Sequence, residues 1–239
     1  MFKRVVIKLS GEALAGHKAD HFDNGVVGDI ADQIKTILKK GVQVSIVVGG
    51  GNFWRGKYSN ESMDRTKSDH IGMLATVMNG IYLSDVLRKM GVKSVVMTPF
   101  MVGTMAEQFS RDKAEEYLAN KMVVICAGGS GHPFFSTDTI TAIRAAELKA
   151  DAILFAKNGV NGIYDSDPNV NPNAEKYTEI TYREIITRNL QVIDISAMAI
   201  CEEQNIYSIV FGIDEPNGIV FAATGNQDQL YEVATKITV

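Results

Sequence analysis

Short runs rich in β-branched residues alternate along this chain with longer segments of helical period, and no other feature constrains its fold as strongly. Strands that alternate with helices form βαβ units, in which consecutive strands run parallel. The pattern therefore predicts an α/β fold around a mostly parallel sheet. The candidate strands cover residues 4–8, 43–48, 94–98, 122–126, 152–156 and 207–211.

Four of the intervening segments carry helix signals. In the first, Val26, Ile30 and Ile34 recur at four-residue steps, and Gly41 stands where such a helix would stop. The others are predicted at 69–89, ended by Gly91, from Ser110 as N-cap towards Asn120, and at 137–149. Helices of this kind pack on the faces of a sheet.

The segment after Ala156 changes to turn formers, with Asn-Gly, Asp-Pro and Asn-Pro pairs between residues 158 and 173. We predict an ordered surface excursion here, not a linker. With 239 residues, 46% of them hydrophobic, the chain can bury one large α/β core. We therefore predict a single domain over residues 1–239, with an N-terminal lobe at about 1–150 and a C-terminal lobe at about 151–239.

Charge and hydrophobicity exclude several classes of protein. A formal net charge of -4 gives no positive field for nucleic-acid phosphates, so nucleic acid is not an expected partner. The apolar runs fall far short of the ~20 residues that span a bilayer, and no apolar signal stretch follows Lys3 and Arg4. We expect a cytoplasmic protein without membrane contact.

Cys126 and Cys201 lack C-x-x-C spacing and are predicted to lie in the core.

Two of the predicted strands end in glycine-containing turns that suit a phosphate. The first leads from Lys8 into Ser10 and Gly11, which places a cation beside exposed backbone N–H groups. An ordinary strand-end lysine followed by a turn explains this segment at least as well. The second strand leads into three glycines at 49–51 and then Arg55. Such a run suits a phosphate that approaches bare backbone, and a tight strand-to-helix turn is the alternative.

A third glycine-rich segment follows the strand at 122–126. The G-x-S-x-G pattern of serine hydrolases fails around Ser130, because His132 stands where the second glycine is needed. The hydroxyls of Ser130, Ser136 and Thr137 fit better as donors to a second phosphate, at the start of a helix whose N-terminus favours anions. Simple helix capping by Thr137 or Asp138 is the alternative.

Other phosphate and metal motifs are missing from the sequence. Neither the P-loop pattern nor G-x-G-x-x-G after a strand occurs. His17, His21, His70 and His132 show no H-x-x-x-H spacing, and no acidic cluster resembles a metal cage, so no protein-held metal is expected.

The excursion contains an aromatic residue between two hydrogen-bond acceptors. Tyr164, with Asn158 and Asp167, could hold a purine nucleoside. A hairpin with a partly buried tyrosine is an equal alternative.

Five stretches of the sequence resemble the bacterial uridylate kinases of the amino-acid-kinase family. They are KLSGEAL at 8–14, GGGNFWRG at 49–56, DHIGMLATVMNG at 69–80, PFFSTD at 133–138 and YDSDP at 164–168. The resemblance covers nearly the whole chain, and the stretch at 69–80 separates uridylate kinases from other amino-acid kinases. It implies a three-layer α/β/α sandwich and the transfer of the γ-phosphoryl group of ATP to UMP, which gives UDP and ADP in pyrimidine nucleotide biosynthesis.

The resemblance also assigns residues to each nucleotide, with UMP in the N-terminal lobe and ATP mainly in the C-terminal lobe. The ATP residues would be Lys8, Leu9, Ser10, Gly11, Gly51, Arg55, Asn158, Tyr164 and Asp167. The UMP residues would be Gly50, Asp69, Ser130, Gly131, His132, Pro133, Phe134, Phe135, Ser136 and Thr137.

Catalysis would fall to Lys8, Arg55 and Asp138. Phosphoryl transfer rests on positioning and on neutralising the charge of the transferring oxygens. Lys8 and a Mg²⁺ ion held through the phosphates would supply that charge, while Asp138 orients Lys8. Asp69 would accept hydrogen bonds from the ribose or uracil of UMP.

Departures from the family concern regulation. Ser130 and His132 replace the usual threonine and asparagine, so the acceptor loop gains a group that would tune phosphate binding with pH. Residues 16–23 lack the Gly-Phe-Gly-like stretch tied to GTP activation, so GTP control is not expected. UTP feedback inhibition is implied by the family.

The resemblance further implies a homohexamer with the helix after Asp69 as a dimer face, although Met73, Leu74, Val77 and Met78 fit an internal core equally well.

Two other functions compete with UMP phosphorylation. A non-catalytic nucleotide-binding or storage protein on the same fold would not need Lys8, Arg55 and Asp138. A kinase for another small molecule would not need the stretch at 69–80.

Overall fold

One mixed sheet runs through the described part of the chain, residues 1–16, 20–55, 63–225 and 227–239 of a computed structural model. The predictions at His17 and Gly56, and part of the stretch at 16–23, lie outside these residues. The strands are β1 Arg4–Leu9, β2 Gln43–Val48, β3 Ser94–Thr98, β4 Glu107–Gln108, β5 Val123–Cys126, β6 Ala152–Lys157, β7 Glu179–Thr181, β8 Tyr207–Gly212 and β9 Ala234–Thr238.

The order of strands across the sheet is β4-β3-β5-β2-β1-β6-β8-β9-β7. All neighbouring strands named here pair in parallel except β8 and β9, which are antiparallel. The mostly parallel sheet is therefore confirmed. The six predicted strands are β3, β5, β2, β1, β6 and β8, which are neighbours in the centre of the sheet. Each predicted strand end lies within one residue of the observed end. The strands that were not predicted, β4, β7 and β9, lie at the two edges.

The described helices include the four predicted ones. They are α1 Gly11–Ala15, α2 Asn24–Lys39, α3 Arg65–Lys89, α4 Arg111–Ala119, α5 Thr137–Glu147, α6 Tyr182–Thr187, α7 Ile195–Glu203, α8 Gly218–Thr224 and α9 Gln227–Val233. The helix α3 begins four residues before the prediction, because the Asp64 side chain accepts a hydrogen bond from the Lys67 backbone N–H at 3.1 Å and caps it there. The helix α5 ends two residues before the prediction.

The helices form one layer on each face of the sheet. Apolar residues of α1, α2, α3, α8 and α9 pack on one face, and those of α4, α5, α6 and α7 pack on the other. Successive residues of β1 serve the two cores in turn, with Val5 and Ile7 on the first face and Val6 on the second. The three-layer sandwich is confirmed. Cys126 and Cys201 are both free and buried, as predicted.

The parallel strands bring their carboxyl ends to one edge of the sheet, where open α/β folds bind ligands. The ends of β1, β2, β5 and β6 are neighbours at this edge. Because side chains alternate along a strand, Lys8 shares the face of Val6, towards α5. None of the described helices is both long and apolar enough to cross a membrane.

Candidate functional site

A lysine and an aspartate meet where β1 ends and α5 begins. The Lys8 Nζ lies 3.1 Å from Asp138 Oδ1, and the two side chains are only 12% and 14% exposed. Asp138 stands in the first turn of α5, whose N-cap is Ser136, because the Ser136 hydroxyl accepts from the Thr139 N–H at 3.1 Å. The capping role considered for Thr137 or Asp138 therefore belongs to Ser136. The pair fixes an ammonium group at the ligand-binding edge.

A second ion pair stands beside the first. The guanidinium of Arg55 contacts the carboxylate of Glu12, a residue of α1 that the sequence did not single out. Both side chains are about one-third exposed. They line an open cleft, here called the β1–β6 cleft, whose lining residues are Lys8, Ser10, Glu12, Arg55, Ala156, Lys157, Asn158 and Gly159. Four of these were predicted to contact ATP: Lys8, Ser10, Arg55 and Asn158.

The glycines at 49–51 are needed for packing within the protein. None of the three has a positive φ. A Cβ added at Gly50 would lie 2.7 Å from the Gly72 carbonyl oxygen, and one at Gly51 would collide with the Glu12 carboxylate. The absence of a side chain at Gly50 therefore lets α3 pack closely, and its absence at Gly51 leaves room for Glu12, the partner of Arg55. The prediction explained this run by a phosphate on bare backbone, whereas a close backbone contact already requires glycine at position 50, and a side chain at 51 would displace the Glu12 carboxylate.

A pair of amides holds this glycine loop onto α3. The buried Asn79 side chain donates to the Gly49 carbonyl at 2.6 Å and to Asn52 Oδ1 at 2.8 Å. Asn52 donates to Asn79 Oδ1 at 3.0 Å and to the His21 carbonyl at 2.7 Å. The loop is therefore fixed through both its backbone and its side chains.

The loop after β5 is shaped by left-handed backbone. Positive φ values occur at Gly128 (80°), Gly129 (62°), Gly131 (79°) and Phe134 (72°). The Thr76 hydroxyl accepts from the Gly128 N–H at 2.7 Å and so ties the loop to α3. The Ser130 hydroxyl donates to the His132 carbonyl at 2.9 Å and accepts from the His132 N–H at 3.1 Å. The Ser130 and Ser136 hydroxyls, predicted as phosphate donors, thus already have partners inside the protein.

The carboxylate of Asp69 holds the same loop from α3. Its Oδ2 accepts from the Phe134 N–H and its Oδ1 from Arg65 Nε, both at 2.9 Å. This carboxylate was predicted to accept from UMP. In the structure it orders the segment that carries the predicted UMP residues from Ser130 to Thr137.

A cleft between α3 and this loop gathers most of the predicted UMP residues, and is called here the β2–β5 cleft. Its lining includes Gly50, Asp69, Ser130, His132, Phe135, Ser136 and Thr137. Gly51, predicted to face ATP, also lines this cleft, whereas Gly131, Pro133 and Phe134 belong to the loop without being among the described lining residues. Trp54, Arg65, Ser68, Thr76 and Gly129 also line the cleft and were not predicted. Trp54 could have been predicted to line a cleft, because it is an aromatic residue that closely follows the glycines at 49–51.

The predicted nucleoside residues of the excursion have contacts within it. The Tyr164 hydroxyl donates to Asn161 Oδ1 at 2.6 Å, and Tyr164 bridges to Lys176 as in a hairpin. Asp167 Oδ1 accepts from the Asn169 N–H at 2.9 Å. The hairpin alternative describes this geometry, and a contact with a nucleoside stays a prediction.

No group of three or more histidine, cysteine, aspartate or glutamate side chains among the described residues could hold a metal ion. The His21 ring stacks on Phe53 at 4.1 Å, and its Nδ1 lies 2.8 Å from the Asn52 carbonyl oxygen. His132 lines the β2–β5 cleft.

The apolar residues of α3 divide between core and surface. Met73 and Val77 are buried, whereas Leu74 is 53% and Met78 is 47% exposed. The internal-core alternative therefore holds for Met73 and Val77, whereas for Leu74 and Met78 the dimer face stays a prediction. Exposed Ile71, Leu74, Met78 and Ile81 recur at three- and four-residue spacing and form one apolar line, the α3 stripe.

Comparison with known proteins gives a consistent result. The model of the amino acid kinase family matches residues 3–212. A UMP kinase from Ureaplasma parvum shares 40% identity, with a TM-score of 0.92 and 99% of each chain covered. A UMP kinase from Bacillus anthracis shares 38% identity, with a TM-score of 0.94, 99% of this chain covered and 96% of the other.

Proposed function

The chain belongs to the amino acid kinase family, and on that premise we propose that it phosphorylates UMP with ATP to give UDP and ADP. The observation that carries this proposal is the 40% identity to a UMP kinase over 99% of both chains. The Lys8–Asp138 pair at the ligand-binding edge of the sheet supports it independently.

We assign UMP to the β2–β5 cleft and ATP mainly to the β1–β6 cleft. The two clefts adjoin along the chain where Trp54 of the first precedes Arg55 of the second. Thr137 of the first cleft also precedes Asp138, whose carboxylate lies 3.1 Å from Lys8 of the second. The acceptor and donor phosphates would therefore meet beside Lys8 and Arg55. In this proposal the lobe of about 1–150 binds UMP, and both lobes line the ATP cleft, with four of its described lining residues from each.

The reaction needs positioned charge more than proton transfer. An oxygen of the UMP phosphate attacks the γ-phosphorus of ATP, while the bond from that phosphorus to the β–γ bridging oxygen breaks and its electron pair leaves with ADP. The attacking phosphate is already an anion, so no general base is required. Lys8 neutralises charge on the transferring oxygens, and Asp138 at 3.1 Å holds its ammonium in place.

The Arg55 guanidinium supplies a second fixed cation. Its present partner, Glu12, leaves the fork partly exposed to the cleft, and guanidinium groups bind phosphate oxygens through two parallel hydrogen bonds. ATP enters as its Mg²⁺ complex, in which the ion neutralises charge on the β- and γ-phosphates. We assign the ion to the phosphates of ATP, since the described residues include no group of three or more histidine, cysteine, aspartate or glutamate side chains that could hold it.

The decisive assay follows ADP release from Mg-ATP with UMP, CMP, AMP, GMP or no acceptor. We expect turnover with UMP alone. Lys8→Ala should lower kcat by about 10²- to 10³-fold, because it removes one preorganised cation from the transition state. Lys39→Ala, on the exposed end of α2, is the matched control and should keep full activity. Nucleotide binding without turnover would instead identify a binding or storage protein, and turnover with another acceptor a different small-molecule kinase.

We further propose a cytoplasmic homohexamer built from dimers, with the α3 stripe as the dimer face. A continuous line of exposed apolar side chains on one helix supports an interface of this kind. Light scattering on Leu74→Glu should show smaller particles than wild type. An unchanged mass would remove the α3 stripe from the interface.

Regulation is proposed to follow the family in one respect and to depart from it in another. UTP should inhibit UMP phosphorylation and GTP should leave it unchanged. Both effects are measured by adding each nucleotide to the ADP-release assay at fixed free Mg²⁺.

A further inference from the structure

A second lysine ends the strand next to β1 and faces the same way as Lys8. Lys8 pairs in register with Phe155 of β6, and Lys157 follows Phe155 by two residues, so Lys8 and Lys157 point to the same face of the sheet. Lys157 lines the β1–β6 cleft together with Lys8. It also lines a neighbouring cavity together with Asp138 and the segment before α7.

Among the described residues, the ammonium of Lys157 donates to a neutral acceptor, the Val192 carbonyl, at 2.5 Å. Burial lowers the pKa of Lys157, as does the charge of Lys8, whereas Asp138 and Asp194 oppose the decrease. The charged groups that face it are therefore Lys8 from β1, Asp138 from α5 and Asp194 at the N-cap of α7.

Lys157 has no ion-pair partner of its own among the described residues. Lys8 already holds the Asp138 carboxylate at 3.1 Å, and Glu12 in the same cleft is paired with Arg55. Asp194, the other acid that acts on Lys157, is exposed to solvent. The ammonium of Lys157 is therefore free to contact an anionic ligand. A lysine that merely tethered the segment before α7 would gain nothing from standing close to Lys8, because like charges repel most strongly where water is excluded.

We propose that Lys157 is a second phosphate-binding lysine, which leaves the Val192 carbonyl to contact the β-phosphate of ATP and of the product ADP. The proposal rests on the proposed function and adds a residue to its site. When the bond to the γ-phosphorus breaks, the electron pair stays on the bridging oxygen, which becomes part of the β-phosphate of ADP. A cation at that position stabilises the leaving group, while Lys8 serves the transferred group.

The test compares Lys157→Met, Lys157→Arg and wild type by calorimetric titration with MgADP and with adenosine. Lys157→Met should weaken MgADP binding by about 10- to 100-fold, since a charge-assisted hydrogen bond is lost, and should leave adenosine binding unchanged. It should also lower kcat with little change in KM for UMP. Lys157→Arg should restore most of the MgADP affinity. Lys35→Met, which removes another partly buried lysine bonded to a backbone carbonyl, is the matched control and should bind MgADP normally.

Two outcomes overturn the proposal. One is wild-type MgADP affinity in Lys157→Met. The other is an equal loss of MgADP and adenosine binding in both Lys157 variants with a lower melting temperature, which would mark a structural tether to Val192. If wild type fails to phosphorylate UMP, the proposed function falls, but the MgADP titrations still report on Lys157.

A second measurement does not depend on how well Lys157→Met folds. A lysine with a lowered pKa loses its charge at a lower pH than an ordinary lysine, and arginine keeps its charge. Between about pH 7 and pH 10, wild type should therefore lose more MgADP affinity than Lys157→Arg. Equal losses in the two proteins would contradict a charged contact between Lys157 and phosphate.

Discussion

Two glycine-rich loops stand side by side at the ends of β2 and β5, and they use glycine for different physical reasons. In the loop at 49–51 the backbone adopts no positive φ, and glycine is required at position 50 because α3 approaches too closely for a side chain. In the loop at 128–131 three glycines adopt left-handed backbone. A Cβ added at Gly129 would make an ordinary van der Waals contact, with Met73 Cγ at 3.5 Å.

Glycine thus meets two different structural requirements, close approach of neighbouring groups and left-handed backbone, and the sequence alone does not distinguish them. Close approach is a property of the neighbours, so any side chain larger than hydrogen is excluded. Left-handed backbone is a property of the residue itself, so asparagine can partly replace glycine. The two explanations therefore predict different orders of stability for substitutions in the two loops, and unfolding measurements can test them.

The largest effect is expected for Gly50→Ala. The new methyl would lie 2.7 Å from the Gly72 carbonyl oxygen and 2.9 Å from Ala75 Cβ, both fixed in α3. Overpacking against rigid groups should lower the free energy of unfolding by about 3 kcal/mol, measured by urea denaturation. Gly72→Ala is the control, because its Cβ meets nothing nearer than 4.0 Å and should raise stability by about 0.5 kcal/mol. A Gly50→Ala protein as stable as wild type would remove the close-approach explanation.

A smaller effect is expected when the anchor of the second loop is removed. Thr76→Val keeps the shape of the side chain and deletes the oxygen that accepts from the buried Gly128 N–H at 2.7 Å. An unpaired buried N–H should cost about 2 kcal/mol in urea unfolding. Thr76→Ser retains the hydroxyl and should lose less than Thr76→Val. The reverse order would mean that packing of the methyl group, not the hydrogen bond, holds the loop.

Gly129→Ala should cost about 1.5 kcal/mol, since only the left-handed conformation opposes it. Gly129→Asn should cost less than Gly129→Ala, because asparagine tolerates this conformation. At Gly50 the order should be the opposite, with asparagine worse than alanine. The same order of the two variants at both positions would contradict the distinction between the loops.

The smallest effect concerns the imidazole that follows the second loop. His132 lines the β2–β5 cleft, which we assign to UMP, and is not among the lining residues of the β1–β6 cleft. His132→Asn should therefore raise the KM for UMP several-fold and leave the KM for ATP unchanged. Steady-state kinetics with each nucleotide varied in turn measures both values. Equal KM values for UMP in the two proteins would exclude a contact between His132 and UMP.

The centre of the fold was predictable from the sequence because its six strands, β3, β5, β2, β1, β6 and β8, are buried on both faces. Such strands appear in a sequence as runs of β-branched residues. The edge strands gave no such signal. β4 has two residues and β7 three, and β9 has two apolar residues, Ala234 and Ile237, among its five. The short helices α6, α8 and α9 were missed for the same reason, since six or seven residues show too little periodicity.

Within the site, the sequence identified single residues better than their contacts. Lys8 and Asp138 were predicted individually, and their roles came from the resemblance to a family. Glu12 was missed because its importance depends on Arg55, which lies 43 residues away in the sequence. Lys157 was missed for a simpler reason. The predicted strand stopped at Ala156, so the rule that drew attention to Lys8, a cation at the carboxyl end of a parallel strand, was not applied one residue further.

The contact between Gly51 and Glu12 limits how sequences of this kind can diverge. The Glu12 carboxylate occupies the space that a side chain at position 51 would need, so a larger residue at 51 would push the flexible Glu12 side chain aside. A displaced carboxylate, or a shorter residue at 12, would leave the guanidinium at 55 without its partner. We therefore expect positions 12, 51 and 55 to vary together among related chains, as a set inherited or replaced as a whole.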